Sequence, residues 1–255
     1  MLDFIDTTFG ITDLGIAQGR SIPKKTFYTH DYFKTAEKKL FTSDIDTITL
    51  IAIANEANTN IAPVINDEYH YEEVFFMHVV LRERKNTSAI AEIIHDVIPN
   101  PTVIIFTHEN SLALSVAPKR LNKNEIGKVV IQDYVHGEWI NTNEVGSVEQ
   151  KFIDQLYLKN ARFDNLLHFY EDICKTVAIS MLVELLDEYC YSKDIDLKQV
   201  LEWKNQYGDL RRTEIYHLNQ NKQLKNFGDK VTNHQKLIDT QKLLLTLKNQ
   251  ILNQK

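Results

Sequence analysis

An α+β protein is the expectation, and three observations set it. All five prolines (Pro23, Pro63, Pro99, Pro101 and Pro118) fall in the first 118 positions, whereas only Gly208 and Gly228 interrupt the stretch from Ser147 to Lys255. Proline breaks helices and glycine weakens them, so this scarcity predicts a helical C-terminal part. Charge divides at the same place: residues 1–149 hold 13 basic and 21 acidic groups, net −8, and residues 150–255 hold 16 and 14, net +2. Upstream, short β-branched and apolar runs alternate with helical periodicities, the pattern of a mixed β-sheet with packed helices. The expected organisation is an α/β mixed-sheet domain over 1–145 and a helical domain over 146–255, the second ending in a hairpin or short coiled coil.

Residues 1–22, with Gly10, Gly15 and Gly19, read as a loosely ordered lead-in. Thr29–Phe41 carries Phe33, Ala36, Glu37 and Leu40 at helical spacing. Ile45–Ala54 is β-branched and mostly apolar, hence a buried strand. Tyr71–Arg84 is the clearest strand, with Phe75, Met77, Val79 and Leu81 on one face and Val74, Phe76, His78 and Val80 on the other. Thr87-Ser88 opens a helix that Ile98-Pro99 closes. Thr102–Thr107 and Ser111–Ala117 read as a hairpin, and Val129–Tyr134 and His136–Ile140 add one or two strands.

In the helical half, Val148–Leu167 is amphipathic, Leu166–Tyr191 has an apolar centre, and Leu197–Tyr207 follows an acidic start. Asp229–Gln254 carries Leu237, Leu244 and Ile251 seven apart with Leu247 between them, a seam of about three repeats. Such a seam closes on a neighbouring helix of the same chain or on a second copy.

With 255 residues, 43% apolar and 25% charged, the chain is long enough for a real core and unlike collagen or a wholly disordered protein. A net charge of −6 argues against a cationic nucleic-acid clamp, leaving only local patches for that work. Cys174 and Cys190 are too few for a disulfide framework and suit a reducing compartment. The start MLDFIDTTFG lacks the basic and apolar regions of a signal peptide, and no run of about 18 apolar residues occurs, so a cytoplasmic location is expected.

Several segments together resemble a bacterial and archaeal family known only as a domain of unknown function, number 4391. They are Ile22-Pro23-Lys24-Lys25-x-Phe27-Tyr28, the strand entry Asp44-Ile45-Asp46-x-Ile48, and Glu73 ahead of the alternating strand to Leu81-Arg82. Ile94–Ile98 before Pro99, Pro118-Lys119, Gly137-Glu138-Trp139-Ile140, and Asn233 ahead of Lys236 and a leucine run complete them. The family usually has Leu-Lys where this chain has Leu81-Arg82. The resemblance implies a setting beside helicases and DNA methyltransferases in restriction or phage defence, not a chemistry.

Reactive clusters are sparse. The strongest enzymatic pattern is a divalent-metal nuclease of restriction-endonuclease-like type, in which Asp67 and Glu83 hold Mg2+ or Mn2+ and Lys85 stabilises charge near the attacked phosphate. Glu83 and Lys85 share a strand face by alternation, but charged strand ends beside a loop are ordinarily solvated. The nine histidines form no HxH, HxxxH or HExxH, and no GxSxG, P-loop or GxGxxG occurs. For nucleic acid, Lys24 and Lys25 lie near Phe27 and Tyr28, Lys119 and Arg120 follow a strand, and Arg211 and Arg212 interleave with Trp203, Tyr207 and Tyr216.

The leading expectation is a non-catalytic accessory subunit of a DNA restriction or anti-phage system, without a cofactor. It docks a helicase or methyltransferase through its helices, with Leu237, Leu244, Leu247 and Ile251 as the partner-binding seam, and touches DNA without reading sequence. A homodimer through the C-terminal helix is the other use of that seam. The metal-dependent nuclease is the alternative.

Overall fold

A computed structural model describes residues 1–28, 35–125 and 128–254. The chain divides into two compact units, Met1–Val177 and Ala178–Lys255.

The first unit opens with α1 (Leu2–Phe9) and β1 (Ala17–Ser21), so the first 22 residues are ordered elements rather than a loose lead-in. The glycines there serve turns: Gly10 ends α1 at φ 67° and Gly15 sits at φ 68°, a backbone region that side-chain-bearing residues enter at a cost. Ile5, Phe9, Ile11 and Ile16 are buried. A short 3-10 turn over Lys24–Phe27 follows, then α2 (Thr35–Ser43). The start of the helix expected from Thr29 lies outside the described residues. Next come β2 (Ile45–Asn55), α3 (Glu56–Thr59), and the small hairpin of β3 (Val64–Ile65) and β4 (His70–Tyr71).

The centre is β5 (Glu73–Leu81), α4 (Thr87–Val97) and β6 (Thr102–His108), a parallel crossover placing Phe75 opposite Thr102 and Val80 opposite Thr107. The strand expected from Tyr71 to Arg84 is shorter, because Tyr71 pairs in β4 and the chain turns after Leu81. β7 (Ser111–Val116) returns antiparallel to β6. β8 (Lys119–Leu121) pairs β9 (Val129–Ile131), and β10 (Val135–His136) and β11 (Ile140–Asn141) both pair β7. The main sheet runs β1-β2-β5-β6-β7-β10, with β11 beside β7. Only β5–β6 is parallel among its named pairings, so the sheet is mixed as expected.

One face of the sheet packs Ile48, Met77, Val79, Ile104, Phe106 and Ala113 with Phe41 and with Ile90 and Ile94 of α4. On the other face Phe76 meets Phe9 edge-on at 6.1 Å. Two helices then complete the unit: α5 (Ser147–Gln155) and the first part of α6 (Leu166–Ser180). The amphipathic stretch expected to continue to Leu167 is interrupted after Gln155, because Asn165 starts a new helix by accepting the His168 N–H on its side chain at 2.9 Å. The buried Tyr170 hydroxyl donates to the carbonyl of Thr102 (2.9 Å) and accepts from the N–H of Ala117 (3.0 Å), tying α6 to β6 and the end of β7.

The second unit holds the end of α6, α7 (Val183–Leu186), α8 (Leu197–Gln223) and α9 (Phe227–Leu252). Asp196 caps α8 by accepting the Gln199 N–H, and Asn226 caps α9 by accepting the Gly228 N–H. α8 and α9 are a long helical hairpin. The α9 seam Asn233, Leu237, Thr240, Leu244, Leu247, Ile251 advances in alternating steps of four and three, the spacing of a coiled coil. Asn233, Leu237, Thr240, Leu247 and Ile251 are buried, and α8 buries Val200, Trp203, Glu214 and His217. Of the two uses left open by the leucine spacing, this is the intramolecular one. Among the described residues no helix is long and apolar enough to cross a membrane.

Candidate functional site

A concentrated polar cluster sits in the first unit, between α4 and the end of the sheet where β10 pairs with β7. β10 pairs with β7 so that His136 lies directly opposite Ser115. Ser115 Oγ is 3.0 Å from His136 Nδ1 and 3.0 Å from His95 Nε2 on α4. Glu92, one helical turn before His95, places Oε1 3.6 Å from His136 Nε2. His95 and Ser115 are 0% and 1% exposed. Burial, reinforced by the nearby Lys119 and His136, pushes the His95 pKa well below the ordinary imidazole value and keeps the ring neutral. The Tyr134 ring stacks on His136 at 6.1 Å and 16°, while its hydroxyl donates to Asp96 at 2.7 Å.

A pocket of about 310 Å³ opens against this cluster, lined by Ser115, His136, Glu138, Trp139, Arg84 and the first residues of α4. The segment after His136 leaves the ladder at Gly137, whose N–H still donates to Leu114, and rejoins at Ile140 opposite Leu112. That detour forms the wall. The Arg84 guanidinium lies 5.2 Å over the Trp139 ring and donates to Ser111 Oγ. The pocket stands where β5 hands over to the N-terminus of α4, the end of a parallel crossover at which open α/β sheets bind ligands. No local motif announces this site; its residues are spread from Arg84 to Trp139 and meet only when α4 packs beside β7 and β10 pairs with it.

The residues singled out from sequence are scattered. Asp67 is in the exposed turn between β3 and β4, and Glu83 lies beyond the other end of β5. Nine residues of strand separate the two ends of β5, roughly 30 Å at about 3.3 Å per residue. Glu83 instead pairs with Lys85 at 2.6 Å on the surface. Asp67, Glu83 and Lys85 therefore share no pocket, and no group of three or more metal-binding side chains is placed for a cation among the described residues.

Lys119 is buried at 2% exposure and unavailable to phosphate. Its ammonium donates to the carbonyls of His95 (2.7 Å), Ile98 and Asn100 (3.2 Å), closing the C-terminal end of α4. Burial pushes its pKa down to about 7, partly offset by Asp96. Lys24 donates to the Ile45 carbonyl at 2.9 Å, and the Phe27 ring beside it stacks on Phe41 in the core. Lys25 is exposed and Arg120 half-buried. Arg211 is held by Glu184 and Glu214, both at 2.6 Å, and Arg212 by Asp209. Trp203 is buried and the Tyr207 hydroxyl donates to Glu184 at 2.8 Å, so those rings are not free to stack on bases.

The leucine seam is also spent internally: Leu237, Leu247 and Ile251 are 6%, 1% and 4% exposed, with Leu244 half-buried in the same row. A different stripe of α9 is exposed at Val231 and Leu245 and half-buried at Ile238 and Leu252. Val231, Ile238, Leu245 and Leu252 recur every seven residues, and Phe227 precedes Val231 by four. Seven residues fall about 20° short of two full turns, so these side chains form one continuous row. Phe227, Val231 and Leu245 are 80%, 54% and 58% exposed.

An α+β chain with a crossover pocket and a helical hairpin describes a class of architecture, and its family is established by sequence. Residues 16–244 match the family described as Domain of unknown function (DUF4391), and the chain belongs to that family. No curated protein and no solved structure matches it.

Proposed function

We propose that this protein is a cytoplasmic accessory subunit of a DNA restriction or anti-phage system. It docks a protein partner such as a helicase or DNA methyltransferase, and chemistry on DNA belongs to that partner. The observation that supports the docking role is the outer row of α9. An amphipathic helix whose inner seam is already covered does not need a second apolar row for folding, and exposed contiguous apolar surface ordinarily marks an interface. The partner's class follows from the setting that the family resemblance implies. DNA contact is the weaker part of the proposal and rests on Lys25, Arg120 and the lysines of residues 222–255, seven against two aspartates.

The test is co-expression of the full chain with the products of the genes adjacent to its own. The wild type retains one of them through purification, and the double substitution Val231→Glu and Leu245→Glu loses it while helicity is unchanged. Equal retention by both proteins overturns the docking surface, and retention by neither overturns the accessory role.

A further inference from the structure

We propose that Ser115 is a nucleophile, with His136 as its base, in a site that transfers a small acyl group from an ester to water. A serine hydroxyl has one proton to give and lone pairs to accept with. His95 Nδ1 is buried and meets no partner, so the single proton of the neutral ring belongs on Nε2, where Ser115 Oγ accepts it. The hydroxyl's own proton is thereby directed at His136 Nδ1, 3.0 Å away. On the far side of the imidazole, Nε2 faces the Glu92 carboxylate at 3.6 Å. Hydroxyl, imidazole and carboxylate in that order are the arrangement that lets a serine lose its proton as it attacks. Here the imidazole acts through Nδ1.

The surroundings fit an acyl group. The pocket, about 310 Å³, is at the small end of ligand sites, which run from about 300 to 1,000 Å³. Opposite Ser115 is the first turn of α4, where Asn86 provides no side-chain cap. The leading N–H groups of a helix have no intrahelical acceptor, so that turn offers donors to a carbonyl oxygen as it becomes an oxyanion. One such charge suits a site whose single guanidinium, Arg84, is already engaged by Ser111 and Trp139.

The chemistry balances with water alone. Ser115 Oγ bonds to the acyl carbon as its proton passes to His136 Nδ1. The bond from carbon to the alcohol oxygen breaks, and His136 returns the proton to the departing alcohol. Water then attacks the acyl-serine, giving a proton to His136, and the carboxylic acid leaves as that proton restores Ser115. Glu92 is a positioning residue that acts through its charge: its carboxylate stands 3.6 Å from Nε2, longer than a hydrogen bond, on the side of the ring away from Ser115.

The experiment uses the full-length protein with p-nitrophenyl acetate and, separately, a fluorophosphonate probe read by peptide mass spectrometry. Wild type releases nitrophenolate and carries the probe on Ser115, and His136→Gln lowers the rate about 100-fold or more. Glu92→Gln shifts the acid limb of the pH–rate profile to lower pH, which a purely structural role would not do. Unlabelled Ser115 in folded wild type overturns the proposal, whatever the stability of the variants. So does release of nitrophenolate by a folded Ser115→Ala protein at the wild-type rate.

Discussion

His217 and Asn233 lock the two long helices of the second unit together. The Asn233 side chain places Oδ1 2.7 Å from His217 Nδ1, and its amide donates to the His217 carbonyl at 2.8 Å and to Asn221 Oδ1 at 2.7 Å. Both residues are buried in the hairpin seam. A hydrogen-bonded polar pair in a largely apolar seam fixes register, because any slip by one turn leaves both groups without partners.

Asn233→Ala should therefore destabilise the second unit by about 1–3 kcal/mol, the cost of orphaning a buried partner. Replacing both residues by leucine removes the orphan as well as the bond, so the double variant loses less than the sum of the singles. Urea unfolding followed by the helical circular dichroism signal reads the difference. Additive losses would mean that the pair does not interact across the seam.

Acid sensitivity follows from the buried histidines. Burial holds the His78 pKa down to about 4, with a smaller contribution from the N-terminal amine, and its ring bonds Thr107 Oγ1 at 2.7 Å. His95 is shifted in the same direction. Between pH 6.5 and 4 the unfolded chain binds protons that the folded His78 refuses, so unfolding becomes easier as pH falls through that window. His78 alone contributes a loss of about 3 kcal/mol by pH 4. The urea midpoint should drop measurably from pH 7 to pH 5, above the range where most carboxylates titrate, and His78→Asn should flatten that slope. A pH-independent midpoint in the wild type would contradict it.

What the sequence reveals depends on whether a residue's partner is near in the chain. β5 and β6 are legible because alternating or continuous apolar runs have few other uses, and Asn110 with Glu109 marks the turn into β7. α1 is not, because its buried Ile5 and Phe9 are few and its glycines look like looseness, although Gly10 is the residue that ends the helix. Lys119 reads as a solvated cation after a proline, since the carbonyls that capture it belong to residues 95–100. The loss of Pro and Gly marks where the helical run begins, at Ser147, while the compact units part at Val177, after α5 and most of α6. The pair Ser115 and His136 is fixed by a ladder whose register no local pattern encodes.

Gly10 permits a sharper test of local backbone. Its φ is 67°, and a Cβ there would stand 2.4 Å from Cε2 of Tyr157, whose hydroxyl donates to Asp13 at 2.6 Å. Gly15 has nearly the same φ, 68°, but nothing within 4 Å of the corresponding position. Gly15→Ala should cost about 1 kcal/mol, the left-handed penalty alone. Gly10→Ala adds the displacement of an aromatic ring, about 1–3 kcal/mol more. Thermal melts of the two variants separate strain from packing, and equal losses would show that Tyr157 yields without cost.

Two leucines two positions apart on α9 should behave in opposite ways. Leu247 is 1% exposed on the inner seam and Leu245 is 58% exposed on the outer row. Truncating a buried leucine removes its transfer energy and leaves a cavity, so Leu247→Ala should lower stability by about 2–5 kcal/mol. Leu245→Ala removes surface that water already covers and should stay within about 0.5 kcal/mol of wild type. The same two variants reverse their rank when the measurement is partner binding under conditions where both are folded, because only Leu245 faces outward. If Leu245→Ala instead melts the isolated protein, the outer row is part of this chain's own core, and the surface proposed for docking is not free to dock.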